Sequence, residues 1–205
     1  MQETVSRGDY SWFVTLTYND ENLPITTDED ASPVPTLDKK GFLTFLNNAQ
    51  RDIGRFRYYA VGEYGELRGR PHYHMAVFPQ SFAQVNALLA RWKDRGYTSI
   101  REMCDERARY LAQYTTKKLT AADDHRLRGN QTPEFRTSTR NPPLGAAFAA
   151  RLVSHYRQTR YAKLVHERGD IERTFRVNGR IYPLGGWTLN YVRKHLGIPL
   201  LHIGS

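Results

Sequence analysis

Between positions 12 and 119 the apolar residues change period several times, and each change marks an element. Trp12, Val14, Leu16 and Tyr18 alternate with Phe13, Thr15 and Thr17, the two-residue period of a strand with one greasy face. Phe42, Phe45, Leu46, Ala49 and Ile53 recur at helical spacing, which predicts a helix over 37–53 ended by Gly54. Two short aromatic and β-branched runs predict strands over 57–63 and 71–78, with Gly62, Gly65, Gly69 and Pro71 supplying turn chemistry between them. Ser81 and Gln84 form a capping box for a helix through Trp92, with Val85, Leu88, Leu89 and Trp92 facing inward, and Gly96 stops it. Tyr97 to Met103 reads as a short strand. A helix over 104–119 follows. At about 100° per residue, its apolar stripe falls on Ala108, Leu111, Ala112, Thr115 and Leu119. Arg107, Tyr110, Tyr114, Lys117 and Lys118 fall on the opposite side.

The succession strand, helix, strand, strand, helix, strand, helix is that of an α+β split βαβ sheet, RRM-like or ferredoxin-like, with the 12–18 strand beside the 71–78 strand. Asn19 to Pro35, acidic and rich in Pro, Thr and Asp, reads as a loop without chemistry of its own. The expected organisation is a core over 1–119, a basic loop over 120–143, and a basic C-terminal extension over 144–205 packed on the core. Little apolar content between Thr120 and Asn141 predicts a long mobile loop near the core. The extension reads as a helix within 142–156, a hairpin over 173–184 around Asn178-Gly179, and a short helix over 187–196.

A chain of 205 residues with 40% hydrophobic and 25% charged residues buries a real core and is not a disordered one. No apolar run approaches the ~20 residues of a membrane span, and the polar N-terminus does not read as a signal peptide, so a soluble intracellular protein with no membrane partner is expected. The single cysteine, Cys104, excludes an internal disulfide and a cysteine zinc cluster. No Gly-x-x-x-x-Gly-Lys-[Ser/Thr] loop is present, so no ATPase is expected. The net charge of +9 points to a polyanionic partner, and residues 151–205 hold 10 basic against 3 acidic side chains, or +7 of the total.

The candidate chemistry lies between Gly62 and Phe78. His72 and His74 are two apart on a strand, so they share a face. A hairpin that sets Glu63 opposite His72 adds a carboxylate to them. Two imidazoles and a carboxylate suit a divalent metal, with Glu66 as the fallback third ligand. An alternating His pair is commonly a solvated or hydrogen-bonded strand face, and a Tyr pair at i, i+4 is commonly helix packing. Here they occur together. Arg68 and Arg70 in the turn, with Arg126, Arg128, Arg136 and Arg140 in the basic loop, are the candidate DNA contacts.

The motifs Phe13-Val-Thr-Leu-Thr-Tyr18, His72-Tyr73-His74 with Glu63, and Tyr110-x-x-x-Tyr114-x-x-Lys117 resemble the HUH endonuclease superfamily in its rolling-circle replication initiator branch. Their wording is similar to the initiators of small single-stranded DNA phages, the microviruses of gokushovirus type. The resemblance covers about residues 12–145, with a fainter echo in Arg180-Ile-Tyr-Pro-Leu. It implies Mg²⁺ or Mn²⁺ held by Glu63, His72 and His74, and nicking of single-stranded DNA at a replication origin through a 5′-phosphotyrosine, with the 3′-hydroxyl left to prime synthesis. On the motif spacing Tyr114 is the first nucleophile, Tyr110 the second, and Lys117, or else Lys118, positions the phosphate. A host helicase and polymerase would be partners, and the host cytoplasm the location. A single-tyrosine transposase of the same superfamily is disfavoured by the absence of its Tyr-x-x-x-Gln helix, and a relaxase by the order of tyrosines and histidines. A non-catalytic single-stranded nucleic-acid module, stacking bases on Tyr59 and Phe78, is the reading from another class.

Overall fold

The computed structural model describes residues 2–7, 11–65, 69–116, 124–177 and 179–200. Along the chain come α1 (Gln2–Arg7), β1 (Trp12–Tyr18), β2 (Ile25–Thr27), β3 (Pro33–Pro35), α2 (Lys39–Ile53), β4 (Arg57–Tyr64) and β5 (Pro71–Phe78). Then follow α3 (Phe82–Ala90), β6 (Gly96–Glu102), α4 (Asp105–Thr116) and β7 (Phe135–Ser138). The last are α5 (Ala146–Tyr156), α6 (Thr159–Arg168), β8 (Thr174–Val177), β9 (Arg180–Pro183) and α7 (Gly186–His195). They fall into two compact units, residues 9–140 and residues 1–8 with 141–205.

The 9–140 unit is built on a five-stranded antiparallel sheet in the order β6-β1-β5-β4-β7. Its first four strands have the split βαβ arrangement expected from the sequence, with β1 directly beside β5. Strand alternation sends Val14, Leu16 and Tyr18 of β1, Tyr73, Met75 and Val77 of β5, and Tyr58 and Ala60 of β4 into one core. Phe42, Phe45, Leu46 and Ala49 of α2, and Val85 and Leu88 of α3 with Trp92 beyond it, close that core from one side. Asp38 and Ser81 cap the two helices, accepting from the backbone of Gly41 and Gln84. The centre is aromatic: Tyr73 stacks on Phe42 at 4.2 Å. Burial pushes the Tyr73 phenol far above its ordinary range.

Three departures from the sequence reading concern this unit. The acidic loop contains a short hairpin, β2 with β3. The basic loop contains β7, which extends the sheet along β4. Its Phe135 lies over Gly62, where an added Cβ would come within 2.6 Å of the Phe135 ring. The third departure is α4, whose orientation is taken up with the site. Leu119 lies outside the described residues.

The second unit has its own core of Phe148, Ala149, Val153, Ile171, Leu184, Leu189 and Val192. α1 and α7 both pack on α5. The buried Glu3 accepts from the backbone of Gly145 at 2.7 Å. The expected hairpin and final helix are present as β8–β9 and α7, Asn178 itself being outside the described residues. The sequence reading had no counterpart of α6.

Candidate functional site

The sheet face opposite the large core carries the candidate chemistry, and the strand registers bring it together. β4 and β5 pair with Glu63 opposite His72, the hairpin register expected, and β1 pairs with β5 so that Thr17 faces His72 and Thr15 faces His74. Across β1, β5 and β4 this makes two rows on one face, Thr17-His72-Glu63 and Thr15-His74-Val61. Each threonine hydroxyl bonds the Nδ1 of its histidine at 3.0 Å, which fixes both rings. His74 Nε2 lies 2.9 Å from Glu63 Oε1. Phe13 stacks on the His74 ring at 5.5 Å.

Glu63 is 8% exposed, and burial alone would raise its pKa. Hydrogen bonds from His74 and Tyr110, with the nearby imidazoles, outweigh that and hold the carboxyl below its usual range. His72 is displaced downward, first by burial and then by the neighbouring His74, which favours the neutral imidazole that ligates metals. Gly65 forms the lip beside it: a Cβ there would sit 2.8 Å from His72 Nε2. Among the described residues no three His, Cys, Asp or Glu side chains form a ready-made metal cage. Glu63 and His74 instead bond each other directly.

α4 packs on β4 and β5 on this same face. Its orientation reverses the expected one. Tyr114 is 5% exposed, Leu111 is buried and Tyr110 half-buried, whereas Ala112 of the supposed apolar stripe is exposed. The tyrosines therefore face the sheet. The Tyr110 hydroxyl donates to Glu63 Oε1 at 2.5 Å, its ring meets His74 edge-on at 5.4 Å, and the Tyr114 hydroxyl donates to that of Tyr110 at 3.3 Å. At the end of the helix Arg136 of β7 donates to the Tyr114 carbonyl at 2.7 Å. An arginine counted as a DNA contact thus also anchors the nucleophile helix.

The other candidates are placed less suggestively. Arg70 binds Asp20 and the carbonyl of Tyr18, each at 2.7 Å. Arg126 pairs with Asp124 and Arg128 with Asp28. Arg140 is exposed at the end of the unit. Glu66, Arg68, Lys117 and Lys118 lie outside the described residues. Phe78 is buried, Tyr59 is half-buried with its phenol pushed up by burial, and α4 covers the face they share with the histidines, so the open stacking platform expected of a base-binding sheet is not formed. The sequence reading missed Thr15, Thr17 and Phe13 as partners of the histidines. Their alternation with Val14 and Leu16 already placed them on the face opposite the core.

Among the described residues no helix is long and apolar enough to cross a membrane. The family model of the ORF2-type replication-associated proteins matches residues 11–119, the stretch that contains every group just described except Arg136, Arg126, Arg128 and Arg140. The chain is similar to replication-associated protein ORF2 of Spiroplasma virus 4, 34% identical over 137 residues that cover 59% of this chain and 42% of that protein. It is also similar to replication-associated protein ORF4 of Chlamydia phage 1, 29% identical over 125 residues that cover 50% of this chain and 31% of that one. The matches span less than half the length of both relatives. No solved structure matches.

Proposed function

The chain belongs to the ORF2 family of replication-associated proteins, and from that membership and the histidine face we propose that it nicks and rejoins single-stranded DNA at a replication origin as an HUH endonuclease. The observation that carries this reading is the Tyr110 hydroxyl resting on Glu63, which is itself bonded to His74. A phenol, a carboxylate and two oriented imidazoles on one sheet face are the parts of a metal-assisted phosphoryl transfer.

The donor set fits a divalent ion. With Nδ1–H donated to Thr15 and Thr17, each histidine keeps Nε2 as a lone-pair donor, and Glu63 supplies a hard anionic oxygen. Mg²⁺ or Mn²⁺ held by His72, His74 and Glu63 would supply Lewis-acid polarisation of a non-bridging phosphate oxygen. Tyr110 Oη attacks phosphorus, its proton passes to the Glu63 oxygen it already contacts, and the 3′ oxygen leaves. The 5′ end stays on the tyrosine and conserves the energy of the broken bond for rejoining. Tyr114, one turn on and hydrogen-bonded to Tyr110, is placed to take the second transfer that closes a circle. This reverses the order that motif spacing favours, because Tyr110 and not Tyr114 touches the ligand set. Lys117 or Lys118 would screen the phosphate, and unwinding and synthesis would fall to a host helicase and polymerase.

The test is cleavage of single-stranded oligonucleotides tiled across the source replicon, with Mn²⁺ and with EDTA. Cleavage at one site that requires metal, and that is lost in His72→Ala and His74→Ala while circular dichroism is unchanged, is expected. Undiminished cleavage in EDTA, or no cleavage of any tile by the folded protein, would refute the reading.

A further inference from the structure

The helix absent from the sequence reading gives the second unit a shape of its own. α5 ends at Tyr156 and α6 begins at Thr159, joined by the tight turn Arg157-Gln158, in which the Arg157 amide bonds the Val153 carbonyl at 3.1 Å and the Tyr161 amide the Gln158 carbonyl at 2.9 Å. After α6 the chain forms the β8–β9 hairpin. Helix, turn, helix, hairpin is the order of a helix-turn-helix module with a β wing.

α6 is held to its unit by very little. Tyr161 lies on His155 of α5 at 3.9 Å and Val165 packs against the core, yet none of the ten residues of α6 is buried. The side turned away from those two holds Thr159, Arg160, Lys163, His166 and Glu167. At about 15 Å long, such a helix suits the major groove of B-DNA, which is about 12 Å wide. On the hairpin, Phe175 and Tyr182 pair and face the Phe148 side, so the neighbouring pair Arg176 and Ile181 faces out, and both are exposed.

Charge supports an anionic partner. Residues 141–205 hold 10 basic and 3 acidic side chains. Two of those three acids are engaged inside the unit: Asp170 with the buried Arg193 and with Arg173, and Glu172 with Arg168. Glu167 is the remaining acid, and it sits on the outward side of α6. A merely solvated helix face would mix its signs throughout the unit.

We propose that this second unit is a duplex-DNA reader: α6 enters the major groove and the Arg176 side of the hairpin contacts the flanking backbone. Base edges would be met by Arg160, Lys163 and Glu167, residue types that read guanine and cytosine there. This activity is separate from the nicking chemistry and does not rest on it. The cutting unit acts on a single strand, and the reader selects the duplex in which that strand lies.

The experiment is run on the full chain in EDTA, so that cleavage plays no part. Binding is measured by fluorescence anisotropy to a 30-base-pair duplex drawn from a randomised pool by selection on the wild-type protein, to its top strand alone, and to the same sequence as duplex RNA, each at several salt concentrations. For Arg160→Ala with Lys163→Ala, duplex-DNA affinity should fall about tenfold or more and the salt slope should drop by about 2, with single-strand affinity changed less than about twofold. Glu167→Gln removes charge without removing packing and should tighten binding of an unselected duplex. Should the double variant fail to fold, Glu167→Gln decides alone. Equal losses on single strand and duplex, duplex RNA bound as well as duplex DNA, or duplex binding unmoved by either variant would overturn the proposal, the last pointing to a protein partner for this face.

Discussion

Replacing Tyr110 by Phe should cost the 9–140 unit much more stability than replacing Tyr114 by Phe, although both rings stay packed. The Tyr110 hydroxyl donates at 2.5 Å to a carboxylate that is 8% exposed and held ionised by its neighbours. A hydrogen bond to a charged group is worth about 1.5–3 kcal/mol net, so about 2 kcal/mol is expected for Tyr110→Phe. The Tyr114 hydroxyl makes a neutral contact at 3.3 Å, near the long limit, and about 0.5 kcal/mol is expected. Because Tyr114 donates to Tyr110, removing both should cost about as much as removing Tyr110 alone. The midpoint should fall by roughly 5 °C for Tyr110→Phe and about 1 °C for Tyr114→Phe. Thermal unfolding in EDTA on a Trp187→Phe background would measure this, since Trp12 and Trp92 then report only the nuclease unit. The pH dependence carries a sign as well. Glu63 has a depressed pKa in the fold, so its contribution is present above the ordinary carboxylate range and is lost as pH falls through the folded value. Tyr110→Phe removes one of the groups that depress it, so that loss should begin at a higher pH. Equal costs for the two substitutions, or a neutral Tyr110→Phe, would refute the hydroxyl–carboxylate contact.

Two further outcomes test the ligand set. Gly65→Ala places a methyl 2.8 Å from His72 Nε2, so Mn²⁺ affinity by calorimetry should fall about tenfold or more with little change in unfolding midpoint; unchanged affinity would mean that nitrogen does not ligate. Thr17→Val removes the partner of His72 Nδ1 and should weaken Mn²⁺ about tenfold with single-strand DNA affinity in EDTA unaltered, and a variant that binds Mn²⁺ as tightly as the wild type would dismiss Thr17 as an orienting group.

The histidine face was legible because strands have a strict two-residue period: once Val14, Leu16, Tyr73 and Met75 are assigned to the core, Thr15, Thr17, His72 and His74 must share the other face. The reading of α4 failed for a physical reason. Its alanines looked apolar and its tyrosines polar, yet a tyrosine buries a large ring and needs only one partner for its hydroxyl. Tyr114 found one in Tyr110, and Tyr110 in Glu63. β7 has a single large apolar residue, Phe135, and the space it fills is made by Gly62, more than seventy residues away. No local pattern reports such a pairing. α6 gave no periodicity because only Tyr161 and Val165 anchor it. Counting arginines similarly says nothing about partners: Asp28 and Asp124 already hold Arg128 and Arg126.

The central claim, strand transfer through a tyrosine on the histidine face, is tested most directly by trapping the covalent adduct. The protein is incubated with Mn²⁺ and the cleaved single-stranded oligonucleotide, digested, and the nucleotide-bearing peptide sequenced by mass spectrometry. A 5′-linked nucleotide on Tyr110 after a single turnover, moving to Tyr114 in Tyr110→Phe only at a reduced rate, is the predicted result. Cleavage that leaves a nucleotide on neither tyrosine would contradict the account.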